Sequence, residues 1–234
     1  MKLETKIFAD GADLHSIKEL NNNPIVKGFT TNPSLMKKAG VEDYEFFAKE
    51  VLEIIGNKPI SFEVFSDDLN EMYDQALKIA SWGENIYVKI PITNTKSESV
   101  YEIVEKLSSE NVKVNITAIM KLDQIKHIFP ALLASPGAYV SVFAGRIADT
   151  GVDPLPVMID VLKIISSNKN VELIWASPRE LFNVIQASDI KCQIITATPD
   201  IIEKLSLIGK DLDGYSLETV QAFYKDAFSA GYKI

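Results

Sequence analysis

The sequence predicts an α/β chain closed into one (β/α)8 TIM-type barrel, a single domain over residues 1–234 with an extra C-terminal helix. Three observations predict it. Eight short apolar runs alternate with longer segments of 3.6-residue periodicity. At 234 residues, 47% of them hydrophobic and 24% charged, the chain is long enough to bury one full core. Strand by strand, the polar residues gather near the C-terminal ends, where barrels of this kind carry their sites. The competing architecture is an open doubly wound sheet, which usually announces a Gly-rich turn after its first strand. Asp10-Gly11-Ala12-Asp13 is not G-x-G-x-x-G.

In chain order the strand runs are Lys6–Asp10, Val26–Asn32, Ile60–Phe65, Ile86–Pro91, Val112–Ala118, Tyr139–Ala144, Glu172–Ser177 and Cys192–Thr198. Between the second and third, Tyr44, Phe47, Val51, Ile54 and Ile55 make an apolar helical stripe closed by Gly56. Ser66-Asp67-Asp68 opens the next helix with a cap and two first-turn acids. Leu69, Met72, Ala76, Leu77 and Ala80 form its stripe, with Gly83 beyond. Val100, Ile103, Val104 and Leu107 line a third helix, and Leu122, Ile125, Ile128 and Phe129 begin a fourth. Val157, Val161, Ile164 and Ile165 line a fifth. The segment Leu217–Ile234 reads as helical, with Val220, Phe223, Tyr224 and Phe228 on one side. It covers either the barrel mouth or a neighbouring subunit, and a homo-oligomer is expected.

Strand side chains alternate between the helices and the interior. In the fourth strand Ile86, Val88 and Ile90 point out, leaving Tyr87 and Lys89 inside. The third puts Ser61, Glu63 and Phe65 inside, with Phe62 and Val64 outside. In the fifth, Asn115 and Thr117 point in, while Val114, Ile116 and Ala118 point out. The sixth sends Ser141 and Phe143 in. Asp10 ends the first strand, Thr30 and Asn32 share a face of the second, and Ser177 ends the seventh.

Lys89 carries the chemical argument. An ammonium is rarely placed in a buried strand for stability, because desolvating it costs several kcal/mol unless it is paired. Burial favours the free amine, which can attack a carbonyl carbon and form a Schiff base. The ordinary alternative is a lysine whose stem is buried and whose head reaches water at the strand end. Taken singly, Thr30 and Ser177 are ordinary strand-end residues. Asp10, Glu63, Lys89 and Thr117 converging on one cavity form an acid/base site around an amine nucleophile.

The arginines add an independent argument. Against 22 lysines there are only Arg146 and Arg179, each directly after a strand end. Arg offers the planar fork that suits a phosphate group. Pro178 is placed to open a helix whose free N–H groups would face the same anion. The alternative is a pair of surface ion pairs with acids such as Asp149 and Glu180.

Composition excludes several classes. A net charge of −8 and the lack of any Lys/Arg-rich run argue against nucleic acid. No 18-residue apolar span is present, so no membrane crossing is expected. The N-terminal MKLETKIFADGADLH has no apolar core of a secretory signal. A lone Cys192 in an apolar run reads as a buried structural thiol in a reducing compartment, and the cytoplasm is expected. His15 and His127 lie in helical segments without metal-ligand spacing, so no metal is expected.

The same residues carry a family resemblance. Phe8-Ala9-Asp10, Gly28-Phe29-Thr30-Thr31-Asn32-Pro33-Ser34, Val88-Lys89-Ile90-Pro91, Asn115-Ile116-Thr117, Ser141-Val142-Phe143-Ala144-Gly145-Arg146 and Ala176-Ser177-Pro178-Arg179 resemble, in order, the transaldolase family. Val142, Ala148 and Pro178 depart from its usual pattern. The resemblance implies a metal- and cofactor-free Schiff-base mechanism on sugar phosphates, with Lys89 attacking C2 of a ketose phosphate. It implies that Asp10 takes the C4 hydroxyl proton and that Glu63 and Thr117 hold a water that shuttles protons. Thr30 would line the same substrate site. Asn32 and Asn115 would bind hydroxyls of a retained dihydroxyacetone unit with Ser141 nearby, while Arg146, Ser177 and Arg179 would bind phosphate. The implied reaction converts sedoheptulose 7-phosphate and glyceraldehyde 3-phosphate to erythrose 4-phosphate and fructose 6-phosphate. A fructose-6-phosphate aldolase branch resembles this chain too, but has a Gln in place of Glu63 and a Tyr in place of Phe143. The third reading is a catalytically silent barrel that binds a phosphorylated metabolite.

Overall fold

Runs such as Ile-Tyr-Val-Lys-Ile and Val-Asn-Ile-Thr pair β-branched outward residues with a mixed inward set, the pattern of a sheet covered by helices on one face and closed on itself on the other. The computed structural model describes residues 3–233. Met1, Lys2 and Ile234, the last of these inside the expected terminal helix, lie outside the described residues. In chain order the elements are β1 (Lys6–Asp10), α1 (Leu14–Asn21), β2 (Val26–Thr30), α2 (Pro33–Lys38), α3 (Tyr44–Ile55), β3 (Ile60–Glu63), α4 (Leu69–Ala80), β4 (Ile86–Pro91) and α5 (Tyr101–Ser109). They continue with β5 (Val114–Ile119), α6 (Leu122–Ile128), β6 (Ala138–Val142), α7 (Ala144–Ala148), α8 (Leu155–Ile165), β7 (Val171–Trp175), α9 (Phe182–Asp189), β8 (Ile194–Ala197), α10 (Pro199–Glu203) and α11 (Leu212–Ala230). All eight strands pair in parallel with their sequence neighbours, and β8 closes the barrel on β1. The expected (β/α)8 barrel is the observed fold.

The large core lies between barrel and helices. Phe29, Phe62, Val88, Ile116, Val140 and Trp175 point outward and are essentially inaccessible, each contributing about 1.5–3 kcal/mol relative to an exposed position. The helix stripes meet them with small shifts. On α4, Ile79 is buried and Leu77 is exposed, so the stripe runs Met72, Ala76, Ile79. On α8, Met158, Val161 and Ile165 are the buried set, with Val157 and Ile164 on its flanks. The α4 cap is Asp68 alone, accepting from the N–H groups of Asn70 and Glu71. Asp67 instead holds the backbone N–H and hydroxyl of Thr95.

The interior has its own lower plug. Phe8, Tyr139, Ile174 and Ile194 pack together with Tyr87 against them. Tyr87 stacks on Tyr139 at 3.8 Å, and Phe8 meets Tyr139 edge-on at 5.8 Å. Gly28 is required here, since a Cβ would sit 2.6 Å from the Phe8 ring. Cys192 is buried, as expected, and burial pushes its thiol up to about 12. His15 and His127 are on exposed helix positions.

Several strands end earlier than their apolar runs. β3 stops at Glu63, and Phe65 turns out to solvent against Tyr44, its N–H held by Gln75 rather than by the sheet. The expectation that Phe65 points inward therefore fails. In β5 the register shifts after Ile116, and Ala118 adopts a left-handed φ of 61°. That bulge turns Ala118 into the cavity and gives its outward place to Ile119, reversing the expected direction. Helix α11 begins at an Asp211 cap, earlier than expected. Its apolar residues, Leu217, Val220, Phe223, Tyr224 and Phe228, are all exposed.

Candidate active site

One step above the plug, at the C-terminal ends of the strands, lies a cavity of about 550 Å³. It is lined by Asp10, Thr30, Asn32, Glu63, Lys89, Thr117, Ser141, Phe143, Arg146 and Ser177, among others. Ten of the twelve site residues expected from the sequence are thus brought together; Asn115 and Arg179 are not on its wall.

Strand register builds the centre. Pairing of β3 with β4 sets Glu63 beside Lys89. Lys89 is only 6% exposed, and its Nζ donates to the Thr31 carbonyl at 2.9 Å and stands 3.0 Å from Glu63 Oε2. A buried ammonium without such partners would be strongly destabilising. The Tyr44 hydroxyl donates to the Glu63 carbonyl at 3.0 Å and fixes the end of β3.

Asp10 faces the pair from β1. Thr30 Oγ1 donates to its Oδ1 at 2.7 Å. Burial holds the Asp10 carboxyl above the usual carboxylate range, offset in part by the Lys89 charge and the Thr30 hydrogen bond. Thr117 completes the ring: its hydroxyl is buried and makes no hydrogen bond to the described residues, which is unusual for a buried polar atom.

Asn32 has a double employment. Its Oδ1 accepts from the Leu35 N–H at 3.0 Å and caps α2, whose first residue is Pro33, and this fixes the side chain at the cavity wall. Asn115 is withdrawn below the wall. It is fully buried, donating to Ser61 Oγ at 2.9 Å and accepting from Ser141 Oγ at 2.7 Å. The cavity wall at this point is formed by Ser141 rather than by Asn115.

At the far rim, two loops lock together. Ser177 has a left-handed φ of 61°, a strained state for a non-glycine residue. A Cβ on Gly145 would lie 1.5 Å from the Ser177 carbonyl oxygen, so only glycine lets α7 seat against β7. Arg146 follows on α7 and lies over the Phe143 ring at 5.5 Å. Among the described residues Arg146 makes no ion pair. Arg179 does: its Nε lies 2.8 Å from Asp149 Oδ1 and its Nη2 pairs with Oδ2. Its Nη1 stays 3.5 Å from Ser177 Oγ. The expected helix opened by Pro178 is not there, because α9 begins only at Phe182 and the Arg179 N–H is capped by Asn183. The surface ion pair weighed as the alternative for Arg179 is the observed one.

Thr196 is not among the residues the sequence pattern singles out. It lines the cavity from β8, with its Oγ1 2.5 Å from Thr30 Oγ1. The inward alternation of Ile194 and Thr196 was the available signal.

The sequence profile of the family described as "Transaldolase/Fructose-6-phosphate aldolase" matches residues 7–234. A "Probable transaldolase" of Thermoanaerobacter sp. (strain X514) is 35% identical over 232 residues, 98% of this chain and 100% of that protein. One of Methanococcus maripaludis (strain C7) is 36% identical over 203 residues, 86% of this chain and 89% of that protein. Among solved structures, a Coccidioides immitis protein assigned to the dihydrodipicolinate synthase family superposes with a TM-score of 0.65 at 11% identity, covering 100% of this chain and 80% of that one. N-acetylneuraminate lyase from Mycoplasma synoviae does so at 0.51 and 13% identity, covering 97% and 83%. These two share the fold. No described helix is long and apolar enough to cross a membrane. The profile match across nearly the whole chain and relatives above 30% identity lead to one conclusion: this chain belongs to the transaldolase/fructose-6-phosphate aldolase family.

Proposed function

We propose that this protein is a transaldolase, moving a dihydroxyacetone unit from a ketose phosphate to an aldose phosphate through an imine on Lys89. The observation that carries the reading is a lysine buried inside the barrel between two carboxylates, at the floor of a cavity that also presents Arg146, which makes no ion pair among the described residues. Lys89 Nζ, as the free amine, adds to the C2 carbonyl carbon of the ketose phosphate and gives a carbinolamine. Water leaves with protons relayed between Glu63 and the Thr117 hydroxyl, and an iminium forms. Asp10 then removes the C4 hydroxyl proton. The C3–C4 bond breaks, its electron pair moves into the enamine, and the aldose phosphate departs with an aldehyde at the former C4. The enamine attacks the aldehyde carbon of the acceptor, Asp10 returns its proton to the new C4 oxygen, and water hydrolyses the iminium to free Lys89. Asn32 and Ser141 are assigned to the hydroxyls of the retained unit. Arg146 and Ser177 take the phosphate, with Arg179 joining them by the fork left free of Asp149.

Phe143 favours transfer over aldol release. A phenol there would help organise water for hydrolysis of the enamine, and an apolar ring under Arg146 does not. The reading includes a homo-oligomer, supported by the exposed apolar side of α11, which light scattering on the purified chain measures. The enzymatic reading is tested by turnover of fructose 6-phosphate with and without erythrose 4-phosphate. Rapid turnover only with the acceptor is expected, with Phe143→Tyr raising the acceptor-independent rate. Equal dihydroxyacetone release in both conditions makes the protein an aldolase, and no turnover in either makes it a sugar-phosphate-binding barrel.

A further inference from the structure

Thr196 belongs to none of the sequence blocks that carry the family resemblance, which end at Arg179. It stands on β8, 6% exposed, and β1 separates it from Thr30 on β2: Phe8 is in register with Thr196 on one side, and Asp10 with Thr30 on the other. Above Phe8 the two threonine hydroxyls meet at 2.5 Å, and Thr30 lies 2.7 Å from Asp10 Oδ1.

A hydroxyl carries one hydrogen. An ionised carboxylate has none to give, so Thr30 spends its hydrogen on Asp10. The contact between Thr30 and Thr196 then requires the hydrogen of Thr196. The chain has a single polarity, from Thr196 to Thr30 to Asp10. Each bond polarises the next, and the end of such a chain favours a charged acceptor.

We propose that Thr196 is a positioning residue: acting through Thr30, its hydroxyl keeps the Asp10 carboxylate charged and aimed into the cavity. This rests on the assignment of Asp10 as the base. The other charged groups on the cavity wall are Lys89 from β4, Glu63 from β3, already engaged with Lys89, and Arg146 from α7. On α10, which packs against β1, Asp200 is exposed and bound to the Thr198 hydroxyl, while Asp13 beyond β1 caps α1. Lys89 is therefore the cation that helps Asp10 most directly, and it is neutral when it attacks the substrate. The threonine chain is the support that does not vary with the state of Lys89, and it opposes the burial that favours the protonated acid.

The test is the pH dependence of kcat/KM for fructose 6-phosphate with erythrose 4-phosphate as acceptor. Thr196→Val keeps the shape and removes the donor. It should lower kcat roughly three- to tenfold, the scale of one indirect hydrogen bond to a charge, and move the acid limb upward by about 0.5–1 pH. Thr196→Ser, which keeps the hydroxyl, should stay within about twofold with the wild-type limb. Should Thr196→Val not fold, Thr30→Val cuts the chain one bond nearer and must move the limb at least as far. An unmoved limb in the folded valine variant overturns the proposal, as do equal losses in the valine and serine variants. Asp10→Asn separates the two ideas. If it retains the wild-type cleavage rate, the base assignment fails; if it is inactive while Thr196→Val is indistinguishable from wild type, only the role of Thr196 fails.

Discussion

The lower and upper halves of the barrel interior are made by the same strands under opposite rules. Below, Phe8, Tyr87, Tyr139, Ile174 and Ile194 form a packed plug. Two residues further along the same strands stand Asp10, Lys89, Ser141, Ala176 and Thr196, on the wall of the cavity. Two residues of strand advance about 7 Å, so the chain passes from packing to chemistry in a single alternation step. The plug denies water to the carboxyl and amine from beneath, while the cavity opens them to substrate from above. On the proposed reading, stability and reactivity are divided by layer rather than by domain, and variants in the two layers should fail differently.

The largest expected effect is in the upper layer. Lys89→Met should reduce transfer by about a thousandfold or more, as for loss of a covalent nucleophile, and should lower the thermal unfolding midpoint, because Glu63 and Asp10 lose their buried cation. A residual rate near wild type would end the nucleophile assignment. Its counterpart below is Phe8→Ala, which leaves a cavity under Gly28 and should cost about 3–5 kcal/mol in denaturant unfolding. The protein that remains folded should still form the imine. If Phe8→Ala removed activity without loss of stability, the division into layers would be wrong.

A smaller effect separates the two arginines. Arg146 is free over Phe143, whereas Arg179 is held bidentately by Asp149. Arg146→Ala should weaken phosphorylated sugars by about 1.5–3 kcal/mol and spare dihydroxyacetone. Arg179→Ala should cost less, and isothermal titration of both ligands gives the comparison. Equal losses for phosphorylated and unphosphorylated ligands would make the arginines structural.

The smallest effect is on stability and depends on pH. Burial holds the folded Asp10 carboxyl above its ordinary value of 3.8. The folded state then binds more protons than the unfolded state between that value and the raised one, so this residue's contribution to stability is present below about 3.8 and is lost as pH rises through the folded value. Asp10→Asn removes that loss and should raise the unfolding midpoint at pH 7. The advantage over wild type should vanish toward pH 3. A lower midpoint for the variant at pH 7 would show that Thr30 and Lys89 more than offset burial.

How much of this was legible in the sequence depended on regular alternation. Lys89, Glu63, Asp10 and Thr117 follow from period-two facing in their strands, and the structure brings them together. Alternation misled at Phe65 and Ala118, where a strand leaves its ladder or bulges, because those events are set by neighbouring backbone rather than by local pattern. Arg179 and Asn115 point the right way along the chain, yet their partners, Asp149 and the two serines Ser61 and Ser141, are distant in sequence. Thr196 escaped for the converse reason: its strand has an unremarkable pattern, and its meaning appears only when β8 closes on β1.

Among 22 lysines, Lys89 is proposed as the one nucleophile. Incubation of the wild-type protein with fructose 6-phosphate and borohydride, followed by peptide mass mapping, tests that directly. The predicted result is a single reduced adduct on the peptide containing Lys89, absent from Lys89→Met. An adduct on any other lysine, with Lys89→Met still fully active, would contradict it.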